Sequence, residues 1–156
     1  MAEHKQPMKA HSNAAPSSAL RRLGDVLLGT WRLTGGAEGT IRFEWLEGGH
    51  FLIQHVDLKV LGRQIKGIEV LGHLHRVNEP PTEEIWTRFY SFHDGLTLDY
   101  VYELDGHALT IWFMKKNSDN RYRGHLQRRW GVIQWRVVVA RRWLRGDGLP
   151  DQVRSP

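Results

Sequence analysis

The chain has 156 residues with 40% hydrophobic side chains, sixteen Gly, seven Trp and no Cys, a length that suits one globular domain with a sizeable core. Lack of Cys excludes disulfides and thiolate metal sites and is compatible with a reducing compartment. The net charge of +5 is unevenly spread: nine Arg and two Asp fall between Arg121 and Pro156 and the last Lys is Lys116, so the residues before Arg121 are slightly acidic and the basicity belongs to the tail.

Residues 1–16 are polar, contain Pro and lack periodicity, which predicts a flexible lead-in. They hold no apolar signal core, and nowhere does the chain offer about 18 consecutive apolar residues, so a soluble cytoplasmic protein is expected. "SSALRRLGDVLLG" predicts a short helix. Ser17 or Ser18 can accept from free amides at its start, Leu20, Leu23, Leu27 and Leu28 recur at helical spacing, and Gly29 ends it. So short a helix needs a surface to cover, and an opening in the following sheet is the expected one.

From Trp31 the pattern has period two, predicting strands near 30–35, 38–46, 50–60, 66–76, 83–92, 96–104, 107–114 and 120–127, and a ninth near 130–140. "EGG" at 47–49, "NEPPTE" at 78–83, "HDG" at 93–95, "DG" at 105–106 and "KKNSDN" at 115–120 supply turns, and the Gly residues of "LTGGAEGT" supply one between the first two strands. Connections this short permit hairpins but no crossover helices, so successive strands are antiparallel neighbours. A sheet of eight or more strands avoids open edges by curling shut. The expected fold is therefore all-β: a single up-and-down antiparallel β-barrel of about 8–10 strands with a short N-terminal helix. The barrel is assigned to 17–140 and a basic, disordered tail to 141–156. From about His125 Arg and Trp become frequent; a change of reading frame and an ordinary divergent last hairpin both account for this, since "WGVIQWRVVVARRW" keeps β-branched residues able to pair.

A short helix running into Gly29-Thr30-Trp31 on the first strand of a meander resembles the calycin superfamily of lipocalins, fatty-acid-binding proteins and nitrobindins. "LLGTWRLTGGAEGTIRFEWLEGGHFLIQHVDL", "GIEVLGHL" and "RFYSFHDGLTLDYVYEL" are similar to uncharacterised bacterial lipocalin-like barrel proteins over roughly residues 20–120. The resemblance implies a Trp31 that packs across the barrel floor and a small hydrophobic ligand inside, and it supplies no catalytic motif.

The expected function is non-enzymatic binding of a small apolar or amphipathic molecule. Trp31, Trp45, Tyr100, Tyr102 and Trp112 are its expected aromatic lining, and His55, Arg88 and Tyr90, with Asp57 and Glu69, are candidate polar groups of the pocket. Arg88 and Glu69, if inward, should pair with each other, with the Tyr hydroxyls or with a ligand carboxylate. Strand 83–92 has apolar residues on both faces, so periodicity leaves their orientation open. His73 and His75 of "HLH", with His55, offer a strand-borne zinc set, but a solvent-facing His pair gives the same pattern. Haem, by analogy with nitrobindins, would need an inward His such as His107 or His125. No metal or cofactor is assigned, haem and zinc standing as alternatives that would bring redox or hydrolytic activity. The Arg-rich tail reads as a solvated face and not as a nucleic-acid surface. The oligomeric state is left open.

Overall fold

The computed structural model describes residues 15–34, 37–129, 132–136 and 138–139, with only the backbone described from 127 onward. The expected lead-in, apart from Ala15 and Pro16, the basic tail at 141–156 and the Gly35-Gly36 turn lie outside the described residues.

Helix α1, Ser18–Leu27, begins where the Ser17 hydroxyl accepts from the Leu20 amide at 3.1 Å. Its stripe of Leu20, Leu23 and Leu27 is at most 1% exposed. Burying each Leu contributes about 1.5–3 kcal/mol, which holds a helix too short to persist alone. A Cβ on Gly24 would run into the Trp45 ring, so the helix lies directly on that indole. The Leu28 amide bonds the Gly24 carbonyl at 2.9 Å, and Gly29, at φ 105°, turns the chain into the sheet.

Strands β1 (Gly29–Thr34), β2 (Ala37–Trp45), β3 (Leu52–Val60), β4 (Arg63–Gly72), β5 (Ile85–Ser91), β6 (Thr97–Asp105), β7 (Ala108–Phe113) and β8 (Arg121–His125) follow. Each pairs antiparallel with the next. These eight up-and-down strands form a curled half-barrel, the all-β architecture expected from the period-two pattern.

The β3–β4 connection is tighter than the turn signals suggested. Leu61 and Gly62 alone join Val60 to Arg63, at φ 49° and 79°, the two left-handed residues of a type I′ hairpin turn. Strand β4 stops at Gly72, so the "HLH" imidazoles sit in a loop and not on the expected strand 66–76. Gly72 lies where a Cβ would strike the Phe51 ring. Beyond it, Leu74 and Thr82 exchange bonds, Leu74 N to Thr82 Oγ1 at 3.1 Å and Thr82 N to the Leu74 carbonyl at 2.9 Å. His73 Nδ1 lies 3.1 Å from the Glu84 carbonyl and its Nε2 lies 2.6 Å from Ser17 Oγ. A carbonyl only accepts, so in the neutral ring Nδ1 carries the proton and Nε2 accepts from the serine. The β4–β5 loop is thereby tied to the start of α1.

The expected ninth strand is broken. β9 (Gln127–Arg129) and β10 (Val132–Arg136) form an antiparallel pair, and β11 (Val138–Val139) follows. β10 runs parallel to β1 through Leu33↔Trp135 and Thr34↔Arg136, whereas β11 runs antiparallel to β8 through Val138↔Arg123 and Val139↔Tyr122. β9, one residue beyond β8, keeps the direction of β8, and β10 reverses it, so β10 points along β1, which accounts for the parallel pairing.

The core lies on the concave face. It is densest at the helix end, where Leu20, Leu23, Leu27, Trp31, Phe43, Leu52, Leu71 and Leu109 are all at most 2% exposed.

Candidate functional site

Four polar side chains converge on the concave face. The register places Gln54 of β3 opposite Glu69 of β4, Glu69 opposite Phe89 of β5, and Ile85 of β5 opposite Tyr102 of β6. Every second residue faces one way in a strand, so Gln54, Glu69, Thr87 and Tyr102 point to the same side, and all four are buried. Thr87 Oγ1 donates to Glu69 Oε1. The Tyr102 hydroxyl donates to Glu69 Oε2 at 3.2 Å and also lies 3.5 Å from Gln54 Oε1, so one proton serves two acceptors. Burial pushes the Glu69 carboxyl up to about 7, against the smaller opposing effect of the Thr87 and Tyr102 bonds. Burial likewise holds the Tyr100 and Tyr102 hydroxyls well above their usual range, the negative field of Glu69 adding to it.

Apolar surface surrounds this cluster. Tyr100 meets Phe113 edge-on, ring centres 5.6 Å apart, a favoured aromatic geometry. Toward the end away from α1, Leu58, Val60, Ile65 and Leu98 on the same face are only partly buried. The β3–β4, β5–β6 and β7–β8 turns form the rim there and carry Leu61, Phe92 and Met114, which are 71%, 62% and 51% exposed. Leu61 and Met114 both have left-handed φ, 49° and 63°, an unfavourable conformation for a residue with a Cβ. The opposite end also exposes Phe51, Leu74 and Val77, but α1 covers its concave surface.

The expected site residues divide between the two faces. Trp31 is 1% exposed at the floor, its indole Nε1 donating to the Leu27 carbonyl, and Trp45 is half-buried under α1. Tyr100 and Tyr102 face inward. His55, Arg88, Tyr90 and Trp112 lie on the convex face. His55 Nε2 is 2.8 Å from Glu44, which also takes Arg42, and Tyr90 is 41% exposed. Arg88 makes a two-pronged pair with Asp99, Nε–Oδ1 at 2.6 Å and Nη2–Oδ2 at 2.7 Å. Of the partners open to Glu69 the Tyr102 hydroxyl is the one it meets, and Arg88 does not reach it because the two side chains occupy opposite faces. Asp57 is exposed, paired with Gln64 and Lys66. Trp112 belongs to an outer row: it lies opposite Val101 and Arg121, donates to Glu103 at 3.3 Å, and has the Arg121 guanidinium 5.2 Å from its ring centre. That row borders a shallow outer cleft of about 310 Å³ lined by Glu103, Asp105, Arg121 and Arg123 among others.

Both ring nitrogens of His73 are engaged and His55 sits with Glu44, so the three imidazoles do not converge. Among the described residues no three His, Cys, Asp or Glu side chains are grouped as metal ligands would be. His107 and His125 are both exposed, His125 opposite Ala108 on the convex side. Gln54 and Thr87 were not anticipated as site residues. The available signal was their shared strand parity with Glu69 once register is known.

Among the described residues no helix is long and apolar enough to cross a membrane. No protein-family model matches the chain, and no curated protein matches it.

Proposed function

We propose that the concave face of the half-barrel binds one small amphipathic molecule, admitted at the end away from α1. Its polar head lies against Gln54, Glu69, Thr87 and Tyr102, and its apolar part lies along Leu58, Leu98 and Tyr100. The observation that carries this reading is the convergence of four buried polar side chains on the otherwise apolar concave face of the half-barrel, the composition of small-molecule sites in general. The calycin-like form of the half-barrel supports it, and so does the exposed apolar rim. The groups that meet at the cluster are two hydroxyls, an amide and a carboxyl, a set suited to orienting a ligand, and we assign binding without chemistry. A chain free of Cys fits action in a reducing compartment such as the cytoplasm.

The test is titration of the protein with an environment-sensitive apolar fluorophore. One saturable site per chain, lost in Leu98→Asp and displaced by unlabelled amphiphiles, is the expected result. Failure of every probe to enter would mean that side chains fill the interior, as they do in many small barrels.

A further inference from the structure

Glu69 is a buried carboxyl with hydroxyl and amide neighbours and, among the described residues, no cation beside it. The groups that face it are Gln54 from β3, Thr87 and Phe89 from β5, and Tyr100 and Tyr102 from β6, with Tyr122 of β8 close to the two tyrosines. The described cations near this part of the sheet are engaged on the convex side: Arg42 with Glu44, Lys66 with Asp57, Arg88 with Asp99 and Lys116 with Glu103. A buried carboxylate without a counter-charge is costly, and pairing it is what relieves the cost.

We infer that the molecule bound in this interior carries a basic nitrogen, so that an amine with an apolar tail is its chemical class. This rests on the reading that the concave face binds a ligand. Thr87 and Tyr102 each donate to one Glu69 oxygen and so hold the carboxyl plane in place. An ionised carboxyl accepts at about four lone-pair positions, two of which stay free for further donors. Gln54 Oε1, beside them, is another acceptor. An ammonium head has three donors and no acceptor and complements that set. A hydroxyl head brings a single donor. A carboxylate head would bring a second acid against the first, which raises the energy of both. Because burial holds the empty carboxyl near 7, the ion pair forms readily in mildly alkaline solution and at the expense of a bound proton in acid.

The experiment compares decylamine, decanol and decanoate, each below its micellar concentration, by calorimetric titration of the full chain at pH 8. Charged hydrogen bonds contribute enough for about a tenfold preference, so decylamine should bind about tenfold or more tightly than decanol, with decanoate weakest. In Glu69→Gln the preference for decylamine over decanol should fall to about twofold or less, whatever happens to the affinity for each. The unsubstituted protein gives an independent reading: moving from pH 8 to about pH 5.5 should shrink the same preference, because the carboxyl is then protonated before the amine arrives. The inference is overturned if decanoate binds as well as decylamine, or if the preference persists in Glu69→Gln or in acid. Decanol binding at one site without a preference for decylamine removes the inference alone. No binding of any of the three removes the ligand-binding reading as well.

Discussion

Replacing Glu69 by Gln keeps the shape of the side chain and removes its ionisation, and stability measured against pH should show the difference. A carboxyl that ordinarily titrates at 4.5 and is held up to about 7 by burial resists ionisation in the folded state by about 3 kcal/mol. In strong acid it is protonated in both folded and unfolded chains and adds no pH dependence. As pH rises from 4.5 toward 7 the unfolded chain releases its proton first, so unfolding is favoured and stability falls by about 1.4 kcal/mol per pH unit from this group. Above about 7 both states are ionised and the loss levels off near 3 kcal/mol. The Gln variant lacks this term, whereas every other titrating group acts alike in both proteins and cancels in their difference. Urea unfolding at steps from pH 4 to pH 8 should therefore show the variant gaining about 3 kcal/mol on the parent over that span. A difference constant to within about 0.5 kcal/mol would refute the burial of an unpaired carboxyl.

Trp31→Ala should cost about 3–5 kcal/mol in urea unfolding, since it empties the floor under α1; a cost below about 1 kcal/mol would show that the floor is not packed. Gly24→Ala, which in an open helix would stabilise by about 1 kcal/mol, should instead destabilise by about 1–3 kcal/mol because the added methyl meets the Trp45 ring. A gain in melting temperature would contradict that contact. Leu61→Asn should stabilise by up to about 1 kcal/mol, Asn tolerating the left-handed backbone of the turn better than Leu, and a loss would mean that Leu61 packs more than its 71% exposure indicates. Arg88→Met should leave the binding of any interior ligand unchanged, because its guanidinium is held by Asp99 on the convex face; a weakened ligand affinity would place Arg88 at the site after all.

Strand existence was legible because the period-two pattern and the turn residues agree from Trp31 to Phe113. Facing was not. In β5, Ile85, Thr87 and Phe89 alternate with Trp86, Arg88 and Tyr90, and each set contains large apolar side chains, so the pattern has no preferred phase. In β4 the usual rule would put Ile68 and Val70 inside and Glu69 outside, and the structure does the opposite. The convex face is itself partly buried: Val101 is 1% exposed there, flanked in register by Trp86 and Trp112, so apolar residues belong on both sides. That is also why Trp112, read as lining, lies outside. The helix and its Trp45 contact were half legible: the Leu stripe announced the covered face, but only the pairing of Gly24 with the indole shows how closely the two approach.

The double attachment of α1, by His73 at its first turn and by the Trp31 indole at its last, bears on kinetics more than on affinity. A plug fastened at both ends does not swing, so if the concave face binds a molecule as proposed, the well behind the helix is blind and that molecule must leave by the mouth through which it came. Changes at Leu61, Phe92 or Met114 then alter arrival and departure by the same factor and leave equilibrium occupancy where it was, whereas changes at the foot of the well act on departure alone. Stopped-flow traces can separate the two classes of residue, the rim variants moving along a line of constant Kd and the deep ones along a line of constant association rate.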